Sequence, residues 1–491
     1  MKFNFFLYLL IALVSTMLIV FSINVFPIPG TDSRVFIPAA LLYSKGLGFI
    51  NPLYDITFIK GLYNTPGDFF RFNYYVPFYT LVLGLISKIS PGIKTIFLIN
   101  SLFSTVSLLL FGWLINTSLP KKINAFYKIV LCSSVIYLAT FLLPTVGRPE
   151  NLSSFIIFII YIYCNKKIFV KNKIIKEISL CLLFSLLLST QIVGFYFTAL
   201  FFILFEILNS NSLYKTLLKN IFRFVFILVG FALILAMSPN GLSDTLHGIK
   251  VHGTWAISRT DRSIKMFVYY WVFAPLNFAF LGIFISSLYL YSRFIILKGR
   301  QLKKDHLITV IILHAVIILS IPKFILYASP TVYNATQFIL PLTVYLLLQL
   351  MLMKNDIPKK ILAASITICY AGGIIIFLRW LLLFADYKTN GRDYDQASIT
   401  INKIIHKNHN VRITPALWSL FDNPYDVKFF DGNYKKGDIV IIQQAYARNI
   451  DTYLNNATIL YDWRIPEQRK FMGIPLSSTP QCYSFVVCRF N

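Results

Sequence analysis

Residues 95–144 read TIFLINSLFSTVSLLLFGWLINT, then SLPKKINAFYK, then IVLCSSVIYLATFLLP, and this order decides the fold. Two uncharged runs flank a short segment that carries three lysines. A helix of about 20 apolar residues spans a bilayer because its backbone satisfies its own hydrogen bonds in lipid. The same alternation of apolar runs and basic segments repeats from Phe3 to Phe384, and it predicts a polytopic membrane protein.

The composition of the whole chain agrees with this prediction. Of 491 residues, 57% are hydrophobic and only 13% are charged, a balance that excludes an ordinary soluble protein of this length. The formal net charge of +26 comes mainly from short clusters between apolar runs. The positive-inside rule places such clusters on the cytoplasmic face, so we expect no nucleic-acid partner.

Five basic clusters are predicted cytoplasmic loops, and they fix a topology if all of them are inside. The clusters are Lys121–Lys128, Lys166–Lys176, Lys215–Arg223, Arg293–Lys304 and Lys354–Lys360. The chain then crosses the membrane about eleven times, with its N-terminus inside and its C-terminal part outside. The predicted spans are 3–26, 95–117, 125–144, 150–165, 174–190, 192–209, 221–238, 267–292, 306–326, 336–353 and 360–384.

The number of times that two apolar stretches cross the membrane decides whether all five clusters lie on the cytoplasmic side. Residues 74–89 are predicted to form a helix along the outer interface, led in by Arg71 and broken by Pro77. Residues 178–205 are predicted to form two short helices that turn near Thr190 and Gln191. The opposite interpretation of either stretch would place the later lysine clusters outside.

The predicted fold class is an all-α polytopic membrane domain with interfacial helices and a small C-terminal α/β extracytoplasmic domain. The membrane domain covers residues 1–385, including the first outer loop at 27–94, and the outer domain covers 386–491. In the outer domain, Asp395–Lys407 has the pattern of an amphipathic helix. Short strands are predicted at Lys428–Phe430, Ile439–Ile442 and Phe485–Val487. A disulfide between Cys482 and Cys488 would need a hairpin at Tyr483–Val487.

The first outer loop holds the candidate general base. Asp32 follows the first span closely, in Pro-Gly-Thr-Asp32-Ser-Arg34. It could take a proton from an attacking hydroxyl, or it could cap a helix that begins near Arg34. Arg34, two residues after Asp32, is a candidate for substrate binding.

Arg148 and Glu150 stand out as a cation and an anion in an otherwise uncharged stretch, in Gly147-Arg148-Pro149-Glu150. Ionisable groups at such a place are costly and are usually paired or functional. Arg148 could hold a phosphate, whereas Glu150 could orient the phosphate, bind a metal or assist the base. Both could instead mark a helix end at the water boundary, which Pro149 would suit.

Other outer residues are weaker candidates for contact with a lipid headgroup or a phosphate. Asp55, Arg71 and the aromatic residues up to Pro77 suit a headgroup surface or an ordinary aromatic belt. The remaining candidates for substrate binding are Lys323, Tyr327 and Arg379. Lys323 could hold a leaving phosphate or simply snorkel.

A divalent metal is conceivable in one predicted loop, Ser238–Lys265. The residues of interest in it are Asp244, His247, His252, Arg259, Asp261 and Arg262. The two histidines and two aspartates have no fixed ligand spacing, and the chain has no HExxH or CxxC motif. No cofactor is therefore assigned.

Taken in order, these motifs resemble those of the C-type (GT-C) membrane glycosyltransferases. The shared features are Asp32, the following Leu53-Tyr54-Asp55, the aromatic-proline entry at Tyr75–Tyr79, Arg148-Pro149-Glu150 and the late Pro322-Lys323. The chain is similar to protein O-mannosyltransferases, the lipid A aminoarabinose transferase and phage-type O-antigen glucosyltransferases. The likeness covers most of the membrane part.

The resemblance implies a polyprenyl-phosphate-linked sugar as donor, inversion at the anomeric carbon, and Asp32 as the catalytic carboxylate. Many members have an Asp-Glu pair where this chain has Asp32-Ser33, so the partner acid is open between Asp55 and Glu150. The implied acceptor is an extracytoplasmic glycan or lipid, as in O-antigen or lipopolysaccharide modification at a bacterial inner membrane.

Two other functions suit a polytopic protein with outer loops. An O-antigen polymerase or ligase would favour arginine-rich outer loops without a soluble tail. A transporter or flippase would favour charges at mid-membrane and a repeat between the two halves. In this sequence the charges collect near helix ends, no repeat is visible, and a polar tail is present.

Overall fold

The structure is a computed structural model, and it describes most of the chain in segments. The described residues are 2–28, 33–50, 75–118, 125–143, 147–164, 172–210, 212–258, 356–385, 387–388, 391–406, 411–420, 427–429, 435–443, 457–464, 470–471, 474–475 and 483–491.

Twelve α-helices occur in this part of the chain. They are α1 (Lys2–Ile23), α2 (Ser33–Ser44), α3 (Phe78–Ile89), α4 (Ile93–Ser118), α5 (Ala125–Leu142), α6 (Glu150–Cys164), α7 (Lys173–Thr190), α8 (Ile192–Asn209), α9 (Leu213–Ala236), α10 (Gly241–Ser258), α11 (Asp356–Ala385) and α12 (Tyr394–His406). The fold is therefore mainly helical, as predicted.

The long helices pack side by side, and their contacts show which ends lie together. Lys128 at the start of α5 has its ammonium 5.7 Å from the ring of Phe3 at the start of α1. Phe384, near the end of α11, packs on Phe21 near the end of α1 with ring centroids 4.3 Å apart. Helices α1, α5 and α11 thus run in the same direction.

We call the two ends of the bundle the Arg148 end and the Arg223 end. The Arg148 end comprises the ends of α1, α5 and α11, the starts of α4 and α6, and the junction between α7 and α8. The Arg223 end comprises the start of α7, the end of α8 and the start of α9.

Three helices among the described residues are long and apolar enough to cross a membrane. They contain Phe3–Ile23, Ile93–Thr117 and Leu213–Ala236. Shorter apolar helices occur at Phe78–Ile89, Lys128–Leu142, Glu150–Tyr163, Ile192–Ile203 and Gly373–Ala385. The predicted spans at 267–292, 306–326 and 336–353 lie outside the described residues, so the number of eleven crossings stays a prediction.

The division of residues 178–205 into two helices is confirmed, and residues 78–89 form a short helix, whose place along the outer interface stays a prediction. Helix α3 has 12 residues, or about 18 Å of rise, which is too short for a hydrocarbon core of about 30 Å. The apolar stretch 178–205 is divided at Gln191, whose backbone is extended with a φ of −158°, and α7 and α8 pack against each other on either side of it.

Several segments predicted as loops belong to helices instead. Lys173 and Lys176 lie in the first turn of α7, and Lys215–Arg223 lies in α9. Lysine and arginine are good helix formers, and side chains of Asn172 and Ser212 cap these two starts. Basic residues therefore prolong the apolar helices rather than interrupt them.

The predicted loop Ser238–Lys265 is also wrong in part, because Gly241–Ser258 forms α10. The buried positions of α10 include Thr245, a small polar residue that gives no apolar periodicity in the sequence. Asp244 and His247 lie on this helix. Asp261 and the arginines of the predicted metal loop lie outside the described residues, and so does the side chain of His252.

The C-terminal region contains a five-stranded sheet in the order β2-β1-β3-β7-β4. The strands are β1 (Val411–Ile413), β2 (Val427–Phe429), β3 (Ile439–Gln443), β4 (Ala457–Trp463) and β7 (Phe485–Phe490), with a separate pair β5 (Lys470–Phe471) and β6 (Ile474–Pro475). Strand β1 is parallel to β2 and β3, whereas β7 is antiparallel to β3 and β4.

One face of this sheet joins the core of the helical region. Ile439 and Ile441 of β3 belong to a buried cluster that also contains Ile401 of α12 and Phe36 of α2. The opposite face has its own smaller cluster, with Val440 and Ile442. Successive residues of β3 point to opposite faces of the sheet and all are buried, so this strand is covered on both faces.

The hairpin that a Cys482–Cys488 disulfide would require does not form. Residues 485–490 are one continuous strand, paired with β3 on one side and β4 on the other. Cys488 is a buried free thiol. Backbone pairing on both edges of β7 outweighs any local tendency of this stretch to turn.

Candidate functional site

The turn before α6 is held against the start of α2. Gly147 has a φ of +82°, which an L side chain rarely adopts. A Cβ at this position would lie 2.6 Å from Cδ1 of Ile37 and 2.9 Å from Oγ of Ser33. Only glycine allows this close approach. It brings Gly147, the residue before Arg148, against Ser33, the residue that follows Asp32 in the sequence.

Arg148 and Glu150 form a bidentate ion pair at this turn. Arg148 Nε donates to Glu150 Oε2 at 3.1 Å, and its NH2 donates to Oε1 at 2.7 Å. The side chain of Glu150 is 3% exposed and that of Arg148 is 22% exposed. The carboxylate is therefore buried, while part of the guanidinium reaches the surface.

The local sequence explains why Glu150 tolerates its burial. It is the first residue of α6, where the helix dipole stabilises a negative charge. The first turn is closed by the Ser153 amide, which donates to the Pro149 carbonyl at 2.9 Å. The proline at 149 leaves no unsatisfied backbone N–H at this position.

Aromatic residues cover the site on the side of α2 and α3. The ring of Phe36 lies 5.0 Å from that of Tyr75 and 5.6 Å from that of Tyr79. The Tyr79 hydroxyl donates to Asn100 Oδ1 at 2.8 Å. Burial raises the pKa of Tyr79 far above its usual value, and the charge of Glu150 adds to this rise.

Buried amides and hydroxyls continue inward from the ion pair. Ser153 Oγ lies 2.6 Å from Gln191 Oε1, at the junction between α7 and α8. Asn151 Nδ2 lies 3.5 Å from the Asn100 carbonyl of α4. Four helices thus meet at a polar centre within an otherwise apolar bundle.

Tyr79 belongs to the aromatic-proline motif of the sequence, but the sequence did not identify Tyr79, Asn100 or Asn151 as parts of this centre. Gln191 was noticed only as a turn. A polar residue inside an apolar run, such as Asn100, is the one signal that could have pointed to them.

The structure brings together only some of the residues predicted for the site. Arg148 and Glu150 are paired, and α2 begins beside them with Arg34 in its first turn. Arg379 lies on α11 next to Trp380, whose ring is 5.5 Å from that of Phe26, so it belongs to the Arg148 end. Outside the described residues lie Asp32, Asp55, Arg71, Lys323, Tyr327 and the side chain of Arg34.

Within the described segments, no three histidine, cysteine, aspartate or glutamate side chains come together as metal ligands. Asp244 and His247 are neighbours on α10 without a third ligand from that part of the chain.

Comparison with known proteins finds no matching family model and no matching curated protein. Two solved structures are similar to the chain: ArnT from Cupriavidus metallidurans in the apo state and ArnT bound to undecaprenyl phosphate. Their sequence identities to this chain are 12% and 11%, and both have a TM-score of 0.47. Each alignment covers 98% of this chain and 97% of the other.

Proposed function

We propose that the protein is an inverting membrane glycosyltransferase. It moves a sugar from a polyprenyl-phosphate donor to an extracytoplasmic glycan or lipid acceptor, with O-antigen or lipopolysaccharide as the acceptor class to test first. In this proposal it resides in a bacterial inner membrane with its N-terminus in the cytoplasm. Its Arg148 end and C-terminal domain face outward.

The observation that carries the proposal is the contact between Gly147 and Ser33. It joins two segments that are more than 100 residues apart. In the sequence, Ser33 directly follows the candidate base Asp32, and Gly147 directly precedes the candidate phosphate ligand Arg148. A transferase of this kind needs a base for the acceptor and a cation for the leaving phosphate near one reacting carbon. The position of Ser33, the residue that follows Asp32 in the sequence, beside the turn that carries Arg148 supports this chemistry.

The ion pair geometry supports different roles for its two members. The side chain of Arg148 is partly exposed, and a guanidinium is a planar group suited to phosphate, so Arg148 can bind the donor phosphate. Glu150 is buried and bound to Arg148 on both oxygens, which favours a positioning role over direct contact with substrate. Through this pair, Glu150 fixes the orientation of the Arg148 guanidinium.

The proposed reaction is a single displacement at the anomeric carbon. The acceptor oxygen forms a bond to this carbon while the bond to the phosphate oxygen breaks on the opposite face. The proton of the acceptor hydroxyl passes to the Asp32 carboxylate. The departing polyprenyl phosphate gains negative charge, which Arg148 stabilises, with Lys323 or Arg379 as a second cation.

Replacing Asp32 by Asn tests the proposal most directly. The amide keeps the size of the side chain but cannot accept the proton, so sugar transfer should fall by at least about 100-fold. Mass analysis of surface glycans from cells with the wild-type gene, with the variant and without the gene would measure this. Asp395→Asn, at an exposed position on α12, is the matched control. Wild-type glycan in the Asp32→Asn strain would end this assignment.

A further inference from the structure

A groove separate from the candidate active site runs between α7 and α9. It has a volume of about 670 Å³. The two helices are in close contact at Gly230, where a Cβ would lie 2.5 Å from Ser185 Oγ. Apolar residues line much of the groove, among them Leu182, Phe226 and Val229.

The groove ends in a charged cluster at the Arg223 end of the bundle. Arg223 is 8% exposed and forms ion pairs with both Glu177 and Glu206. Lys219 lies 2.8 Å from Glu177. Lys215 also lines the groove, and it has no ion-pair partner in the described part of the chain.

The cluster carries an excess of positive charge. Lys215, Lys219 and Arg223 outnumber the two glutamates, and Lys173 and Lys176 in the first turn of α7 add to the excess. An apolar groove headed by cations is complementary to a lipid whose headgroup is negatively charged.

The walls of the groove distinguish a lipid from a soluble phosphate compound. Phe222 is 61% exposed and Phe226 is 65% exposed, on a helix whose length and composition suit a membrane span. A soluble anion would leave these rings exposed, whereas an acyl chain would cover them. The headgroup phosphate of the same molecule would then lie beside Lys215.

We infer that this groove binds an anionic phospholipid, with one acyl chain between α7 and α9 and its phosphate at Lys215. The site is distinct from the proposed donor site, because Glu177 and Gln191 are separated by about 20 Å of helix. It does not depend on the transferase proposal.

Native mass spectrometry of the full-length protein in detergent, titrated with phosphatidylglycerol or phosphatidylcholine, tests this inference. The wild type should bind phosphatidylglycerol more tightly. Lys215→Gln should weaken that binding about five-fold and leave phosphatidylcholine unchanged, and Lys215→Glu should weaken it further. Because Lys215 has no carboxylate partner in the described residues, neither change leaves a described acidic side chain unpaired.

A pair of tryptophan substitutions on α9 tests the place of the acyl chain. Val229 lines the groove and is 52% exposed, whereas Val225 is 53% exposed and does not line it. Val229→Trp should weaken the binding of both lipids, and Val225→Trp should weaken neither. Glycerol phosphate, which lacks acyl chains, should not displace the lipid. Equal affinity for the two lipids, unchanged binding in Lys215→Gln and Val229→Trp, or displacement by glycerol phosphate would overturn the inference.

Discussion

At the scale of single residues, the two members of the ion pair differ in how much solvent they reach. The Glu150 side chain is 3% exposed and that of Arg148 is 22% exposed. A buried charge that loses its partner is strongly destabilising, whereas a partly exposed charge can turn toward water. Removing the arginine should therefore be costlier than removing the glutamate's charge.

We expect Arg148→Met to lower the free energy of unfolding by about 3 kcal/mol, and Glu150→Gln by about 1 kcal/mol. The double variant Arg148→Met/Glu150→Gln should recover most of the stability, because no buried carboxylate is left without its cation. Thermal unfolding of the purified proteins measures this. A double variant as unstable as Arg148→Met would show that burial of Glu150 is not the cause.

Transfer activity should not follow stability in these variants. Arg148→Met and the double variant should both lack transfer, since both lack the phosphate ligand that we propose. Glu150→Gln should keep part of the activity, because an amide can still accept one N–H from Arg148. Recovered activity in the double variant would contradict the proposed role of Arg148.

At the scale of elements, the contact of the Gly147 turn with α2 can be tested with a second glycine. Gly147 and Gly46 have φ values of +82° and +79°, and a Cβ on Gly46 would meet nothing within 4 Å. Both glycine-to-alanine changes force an alanine into this backbone region, at about 1–2 kcal/mol. Only Gly147→Ala also pushes against Ser33 and Ile37, which adds about 1–3 kcal/mol.

The difference between the two alanine variants therefore isolates the contact between the turn and α2. Gly147→Ala should also reduce transfer, since it separates Arg148 from the segment that follows Asp32. Unfolding temperatures and glycan analysis of both variants measure these effects. Equal destabilisation by the two changes would mean that the turn and α2 do not depend on each other.

The sequence predicts a helix or strand well where the residue types and the length of the apolar stretch indicate the same element. The split at Gln191 and the short helix Phe78–Ile89 follow from charge bias and apolar length, and both are present. Strands β3 and β7 are apolar and were predicted, whereas β4 is exposed along most of its length and was not. Helix α10 was mistaken for a loop because Thr245 and Gly248, the residues buried within positions 241–250, are small.

The candidate site divides in the same way. Arg148 and Glu150 could be found because two charges are rare in an apolar stretch. The hydrogen bond from Tyr79 to Asn100 could not, because it depends on which faces of α3 and α4 meet. Contacts between elements distant in sequence leave no periodic pattern to detect.

At the scale of the whole molecule, the C-terminal region does not pack as a separate body. Trp418, in the short helix Pro415–Leu420, shares a buried cluster with Phe36 of α2 and Ile157 of α6. Lys94 at the start of α4 lies 2.6 Å from Asp395 of α12. The boundary at residue 386 divides the chain by composition, whereas the core is continuous across it. We therefore expect the helical region and the sheet to unfold together.

Two buried thiols can report on the two regions in an otherwise cysteine-free protein. Cys488 is 0% exposed in the sheet, and burial raises the pKa of its thiol to about 11, so it reacts only after unfolding. Ile157→Cys would place a thiol at a position that is 0% exposed in α6. Both thiols should become reactive at the same temperature.

Trp418→Ala provides the decisive comparison, because Trp418 is 4% exposed and its removal leaves a cavity at the junction. The variant should lose about 3–5 kcal/mol and should lower the temperature of thiol reaction equally at both reporter positions. Ile459→Ala, at a position on β4 that is 45% exposed, should move neither temperature appreciably. If Trp418→Ala exposes Cys488 early and leaves the thiol at position 157 protected, the sheet unfolds independently and the shared core does not couple the two regions.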